Sequence, residues 1–455
     1  MRVVLAVVAG KVAGFLSRIG GYQGSSLPGR IARRVDGGVL TKLAGQVRRG
    51  IILVSGTNGK TTTVNMIADV LRHGGYRVTA NQEGANMLNG VTAAFVKDAD
   101  CLGRIRSDFA VIEGDEAYVP GIVREIKPGL VVVTNISQDQ MDRHGEPERI
   151  LGIIAASLKG LKNTVLALNG DDPAVAYLAS RAELPAVYFG MAVVTHAATK
   201  KSSGPNRIAA TLFCPHCDSI LYSFGAHNGH LGGYRCDNCG FAKPDQRVEA
   251  LEAVAVGDAY LCVVDIDGSK EQLTLQAKGL FNVMNAMAAI TACLHSGMEI
   301  ATILSGMAAY KPVTGRMEKY LYKGKTVFLV LVKNLVGFSE ALAALREEPE
   351  SMDILIALND QEGDGQDLSW LWEVDFETLI NQKKNLHSFT CTGQRGADAA
   401  LRLKYADVPR ERIALVPDLS QAVKQALGGR GEKVYLLVNY TLLQQVSDVL
   451  GKINN

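Results

Sequence analysis

The sequence predicts an α/β protein whose core is a doubly wound, mainly parallel sheet, and two observations carry that prediction. Short β-branched runs alternate with helical patterns, and each run ends in a cluster of polar residues. A strand covered by helices on both faces reads as an unbroken apolar run, and such sheets bind ligands beyond their strands' carboxyl ends. Ile51–Val54 gives the first strand and Thr63–His73 the helix behind it, followed by strands at Ala110–Ile112, Leu130–Val133 and Thr164–Leu168.

At 455 residues the chain exceeds what one core serves, so two or three domains are expected. Its 47% hydrophobic and 21% charged residues are ordinary for a globular protein. A net charge of only +2 supplies no field for a polyanion, so no nucleic-acid partner is implied. The N-terminus, MRVVLAVVAGKVAGFLSRIGG, resembles a secretory signal superficially, but Lys11 interrupts the apolar run and Arg18 follows on a helical spacing. It reads as an amphipathic helix. No stretch approaches the roughly 20 apolar residues of a bilayer span, so a cytoplasmic chain with no transmembrane segment is expected.

The segment Ser55-Gly56-Thr57-Asn58-Gly59-Lys60-Thr61-Thr62-Thr63 follows the first strand directly. Its glycines let backbone N–H groups wrap a phosphate, and the next helix points its positive end at it. Lys60 is placed to neutralise β/γ-phosphate charge and the Thr61 hydroxyl to ligate Mg2+, which predicts ATP binding. A second motif is Cys214-Pro-His-Cys217, eighteen residues, then Cys236-Asp-Asn-Cys239. Each pair offers two thiolates from a tight turn, the donor set of tetrahedral zinc, so a four-cysteine zinc ribbon at about 211–243 is expected. The polar stretch Thr199–Asn206 forms its entry. With no Lys/Arg cluster between the pairs, the ribbon reads as structural, and His216 stands as a substitute ligand. Cys101, Cys262, Cys293 and Cys391 read as core residues.

GTNGKTT has one residue fewer between its glycines than the commonest phosphate loop, and that form resembles the Mur ligase and folylpolyglutamate synthetase superfamily. Glu113 in AVIEGDEA falls where the superfamily has a Mg2+-binding glutamate. Thr134-Asn135 with Asp139 and Asp142 resembles its TN…DHLD segment, and Asn169–Pro173 its N-x-DD-P turn. Asn285 opens a helix at the adenine-contacting position, and Arg316 resembles the arginine that starts the C-terminal domain. The resemblance implies Thr61 and Glu113 as Mg2+ ligands and Gly56–Thr62, Asn285 and Arg316 as the ATP site, with Lys60 and Glu113 serving catalysis. Two features depart from an ordinary Mur ligase: only 54 residues precede the loop, and Gln140 replaces the usual histidine.

A Mur-like loop domain, no preceding sugar-nucleotide domain and an inserted four-cysteine ribbon together resemble the MurT family. SSLPGRIARRV, NQEGANM at Asn81–Met87, DQMDR, residues 357–377 and residues 393–408 carry the resemblance nearly end to end. It implies an ATP-binding central domain over 1–312 and a smaller α/β domain over 313–455. It also implies a subunit that activates the α-carboxylate of D-glutamate in lipid II at the inner face of the membrane. A GatD-type glutaminase is the implied partner and ammonia source. Asp367, in DGQDLSW, is then expected to complete that partner's Cys–His pair, with Asp364 and Asp360 as nearby alternatives. Trp370 and Trp372 beside it suit either core or interface. Lys333–Gly337 departs from the family's KNPAG, which leaves Lys333 without an assigned role. Two other readings stay open: a free-standing Mur/folylpolyglutamate-type amino acid ligase, and a zinc-ribbon nucleic-acid-binding ATPase.

Overall fold

The computed structural model describes residues 1–19, 26–81, 85–136, 147–192, 213–228, 231–311, 316–346, 348–361, 364–382 and 385–454. Among these, the chain forms two compact units. One comprises Met1–Ile136, Pro147–Gln276 and Phe281–Tyr310; the other comprises Ala277–Leu280 and the residues from Lys311 onward. The expected domain boundary at 312/313 lies outside the described residues, as do Asp139, Gln140, Asp142 and Thr199–Asn206.

In the first unit, the strands are β1 (Gly50–Ser55), β2 (Val78–Ala80), β3 (Phe109–Glu113), β4 (Leu130–Val133), β5 (Val165–Asn169), β6 (Ala186–Met191), β7 (Tyr222–Asn228), β8 (Leu231–Arg235), β9 (Val248–Val256), β10 (Ala259–Ile266) and β11 (Ser269–Leu275). Its helices are α1 (Arg2–Ile19), α2 (Leu27–Val35), α3 (Val39–Ala44), α4 (Lys60–His73), α5 (Leu88–Asp98), α6 (Val119–Ile126), α7 (Pro147–Leu158), α8 (Pro173–Ala182), α9 (Leu280–His295) and α10 (Ile300–Ala309). Nine strands form one sheet in the order β11-β10-β9-β6-β5-β4-β1-β3-β2. It is parallel from β2 to β9, as expected, and antiparallel at β9-β10-β11. Every residue of β3 and β4 is buried, which is why both read as plain apolar runs. The antiparallel extension was not legible: β10 and β11 bury only alternate residues, because one face of such an edge meets water, and on β10 the outward set includes the apolar Leu261 and Val263.

The chain leaves β1 toward β2 on one side of the sheet and returns to β4 on the other, so β1 and β4 flank the switch point. A crevice opens at the strands' carboxyl ends there, and the glycine-rich loop lies in it. The β7–β8 hairpin stands apart as a two-stranded sheet. No described helix is long and apolar enough to cross a membrane.

The second unit holds β12 (Arg316–Tyr322), β13 (Lys325–Leu331), β14 (Met352–Ala357), β15 (Leu386–Thr392), β16 (Ile413–Leu415) and β17 (Lys433–Val438), in the order β12-β13-β17-β14-β15-β16. Its helices are α11 (Leu335–Arg346), α12 (Phe376–Gln382), α13 (Gly396–Tyr405), α14 (Leu419–Leu427) and α15 (Tyr440–Asn454). Only the β12–β13 pair is antiparallel. Alternate residues of the sheet feed two cores, Ile354 and Ile356 toward α11–α13 and Leu355 and Ala357 toward α14 and α15.

Candidate functional site

The loop between β1 and α4 is fixed by backbone geometry before any ligand is considered. Gly56 and Gly59 have φ of 128° and 83°, and a Cβ would lie 2.3 Å from Thr134 Oγ1 at the first and 2.2 Å from Asn285 Oδ1 at the second. Only glycine fits either place. The polar end of β4 ties the loop down: Asn135 accepts from Thr57 N (2.8 Å, main-chain oxygen) and Asn58 N (3.0 Å, Oδ1), while Thr134 Oγ1 donates to Asn58 O (2.6 Å). α4 begins at Lys60, so the positive end of its dipole faces the crevice, where it attracts anions. Thr61 is half-buried and Thr62 buried in that turn.

Lys60 is buried, and its Nζ donates to Gly56 O, to Thr57 O (3.2 Å) and to Glu116 Oε2 (3.0 Å). Burial opposes the ammonium, but the carboxylates of Glu116, Glu113 and Asp115 outweigh it and hold Lys60 above the usual lysine range. Glu116 was missed by sequence reading, which stopped at Glu113 in the same AVIEGDEA run. Glu113 ends β3 and is buried; Asn81 bonds both of its main-chain groups (2.7 and 2.9 Å) and Asn86 Nδ2 donates to its Oε1 (3.1 Å). Its Oε2 is buried with no hydrogen-bond partner among the described residues.

Asn285 is the sixth residue of α9 rather than its opening residue, and its Oδ1 lies 3.5 Å from Thr63 Oγ1. It packs against the loop, the contact that excludes a side chain at Gly59. Asn169–Pro173 serves as scaffold. Asn169 Nδ2 donates to Thr134 O (2.8 Å), Asp172 caps α8 through Ala174 N and Val175 N, and Asp171 pairs with Lys243 (2.7 Å). Arg316 begins β12, but its side chain lies outside the described residues.

Cys214, Cys217, Cys236 and Cys239 bring all four Sγ atoms within 4.8 Å of one another, with two pairs at 3.6 Å. A zinc ion about 2.3 Å from each sulfur sets them roughly 3.8 Å apart, so the residues fit the metal. Hydrogen bonds from the Ser219 hydroxyl and amide, with the Asn238 amide, lower the Cys217 thiol to about 6. His216 is turned away as a ring neighbour of Tyr177, 5.6 Å between centroids, so four sulfurs face the centre without it. Tyr234 and Phe241 stack behind the cysteines at 5.5 Å. Of the other cysteines, Cys262, Cys293 and Cys391 are buried, but Cys101 is exposed, which corrects the core reading: it sits on the turn after α5, beyond the reach of the sheet's packing.

In the second unit, three carboxylates follow β14. Asp364 is buried and accepts from Thr441 N (2.8 Å) and Thr441 Oγ1 (2.6 Å), holding the start of α15. Asp360 pairs with Arg395 (3.1 Å). Asp367 is exposed and accepts from Ser369 N (2.8 Å), and bonds from the Ser369 amide and hydroxyl keep it below the usual carboxylate range. Asp367 thus presents an ionised carboxylate at the surface, where the other two are committed within the fold. Trp370 packs on Phe338 in the core, whereas Trp372 is 47% exposed against Tyr405.

The profile of the Mur ligase middle domain matches residues 54–208, and that of the MurT ligase C-terminal domain matches residues 331–443. The lipid II isoglutaminyl synthase (glutamine-hydrolyzing) subunit MurT of Staphylococcus aureus strain N315 is 35% identical over 99% of this chain and 98% of its own length. The chain belongs to the MurT family. The MurT subunit of Streptococcus pneumoniae strain ATCC BAA-255 / R6 is 31% identical over 99% of this chain and 97% of its own. The fold of this MurT-family chain is that of the Mur ligases. A pseudomurein peptide ligase type C from Methanothermus fervidus aligns with a TM-score of 0.67 at 21% identity, over 90% of this chain and 80% of that one. MurF ligase from Thermotoga maritima, solved in complex with ADP, aligns at 0.65 and 14% identity, over 91% and 82%.

Proposed function

We propose that this chain is the ATP-using subunit of an amidotransferase that converts the D-glutamate α-carboxylate of lipid II to D-isoglutamine. The observation that carries the reading is full-length likeness to MurT subunits joined to a glycine-locked loop with Lys60 and Glu113 at the sheet's switch point. ATP supplies the phosphoryl group that makes the carboxylate an acyl phosphate open to ammonia, and Mg2+ offsets phosphate charge. Residues Gly56–Thr62 would hold the phosphates through main-chain N–H groups, with Asn285 beside them in the ATP site. Thr61 and the unpartnered Glu113 Oε2 fit the Mg2+ ion. Lys60, kept charged by Glu116, would stabilise negative charge that develops in transfer.

In this reading residues 1–312 form the ATP-binding part, with a structural zinc ribbon inserted, and 313–455 the part that meets a GatD-type glutaminase. Asp367 is the carboxylate free to face that partner, where it would orient the imidazole of a Cys–His pair. The reaction belongs at the inner face of the membrane, where lipid II is built.

The test is turnover of lipid II by the purified chain with ATP, with and without the co-purified glutaminase, scored by product mass. Replacement of hydroxyl by amine, needing the partner when glutamine is the donor but not when ammonia is, supports the reading. A gain of a whole amino acid without a partner makes the chain a free-standing ligase instead.

A further inference from the structure

Helix α1 is apolar on two faces, and the fold uses one of them. Ala6 and Val7 are fully buried, and a Cβ at Gly10 would meet Val96 of α5 at 2.8 Å and the Pro28 carbonyl of α2 at 2.9 Å. The opposite face carries Leu5, Val8, Val12, Phe15, Leu16 and Ile19, spaced as one helical stripe and 40–70% exposed. A helix apolar all round is ordinarily enclosed by protein or set in a membrane, and a bare stripe of this size marks a binding surface.

Charge identifies what covers it. Residues 1–35 hold six cations, Arg2, Lys11, Arg18, Arg30, Arg33 and Arg34, and no acidic residue, which leaves the remainder of a +2 chain at −4; of the six, Arg33 is committed to Glu125 (2.8 Å) within the fold. At 3.6 residues per turn, Arg2 and Lys11 fall on opposite borders of the stripe. An apolar face bearing Phe and Leu between cationic borders matches the boundary between anionic headgroups and acyl chains. The helix is not long and apolar enough to span a bilayer, so it would lie along the surface. A second copy is the poorer fit, because it would bring two cation-rich, acid-free segments face to face.

We propose that α1 is an interfacial helix that docks this chain on anionic phospholipid. The inference goes beyond the amidation reading and is tested without ATP or turnover, so either can fail alone. Full-length protein would be floated with vesicles of phosphatidylcholine alone and of equal parts phosphatidylcholine and phosphatidylglycerol. Binding is expected on the anionic vesicles and weakens with added salt. The doubly exposed variant Phe15→Glu/Leu16→Glu should keep the wild-type unfolding curve and lose at least about tenfold in vesicle partition. Failure of the wild type to bind anionic vesicles, or equal binding by the variant, overturns the proposal. So does wild-type self-association that the variant lacks while neither binds vesicles, which would assign the stripe to a second copy.

Discussion

Lys60 Nζ lies 3.0 Å from Glu116 Oε2, with both side chains buried, so the lysine of the glycine-rich loop is neutralised from within its own unit. An ammonium in such a place is tolerable only while a counter-charge stays beside it. Lys60→Ala should therefore abolish ATP hydrolysis while leaving partner binding intact. Glu116→Gln removes the nearest of the three carboxylates that hold the ammonium and should cost about 3 kcal/mol in urea unfolding, yet retain hydrolysis, with a lower KM for ATP because a negative charge has left the phosphate site. If Glu116→Gln loses hydrolysis as completely as Lys60→Ala, Glu116 belongs to the chemistry and is not a counter-ion.

The second unit has a comparable knot where Glu348, buried, pairs with both Lys278 and Lys433. Burial opposes its charge, but the two lysines hold its carboxyl below the usual range, and Lys433 is held above its own. A depressed carboxyl stabilises fully above its unfolded value, about 4.3, and that contribution is lost as pH falls through the folded value. A raised lysine stabilises below about 10.4 and loses the contribution as pH rises through its folded value. Stability should be flat between these limits and fall outside them. Glu348→Gln should cost about 3–5 kcal/mol and flatten the acid limb. Trp370 and Trp372, the chain's two tryptophans, both lie in this unit and report its unfolding.

What sequence reading reached follows from how locally each feature is encoded. Leu130–Val133 was read to the residue because a strand buried on both faces has no polar interruptions. The loop and the cysteine pairs were read because a few adjacent residues define their chemistry. Glu116 was not, since its role depends on a turn that carries it back to Lys60, fifty-six residues earlier. Likewise Asp364 and Asp367 look alike in DGQDLSW, and only the fold shows that Asp364 is committed to Thr441 while Asp367 is exposed. Asn285 was read as opening a helix, whereas it lies a turn and a half inside one, and its closeness to Gly59 is a contact between distant segments that no local pattern announces.

The four-cysteine cluster predicts one zinc per chain, measurable by elemental analysis. Structural zinc contributes folding energy directly, so Cys236→Ser should lose the metal and open residues 213–243 to proteolysis. The loop at Gly56–Lys60 makes no use of the ribbon, so ATP hydrolysis should survive. Retained zinc in the variant would mean that another group replaces the thiolate, and His216 is the residue to examine first.

Asp367 supplies the sharpest test, because its predicted loss is conditional. As an exposed carboxylate bonded only locally to Ser369, it holds up no part of the fold that the structure describes, so Asp367→Asn should unfold like the wild type. Asparagine keeps the shape but not the charge needed to orient and stabilise an imidazolium. Amidation driven by glutamine should fall roughly 10³-fold or more, by analogy with other triads that lose their carboxylate. Amidation driven by added ammonium salt should be unchanged, since the ammonia then bypasses the glutaminase, and ATP affinity should not move. Equal loss with both donors would put Asp367 in the synthetase chemistry, and normal use of glutamine would remove it from the partner's triad and leave Trp372 and Tyr405 as the surface to probe next.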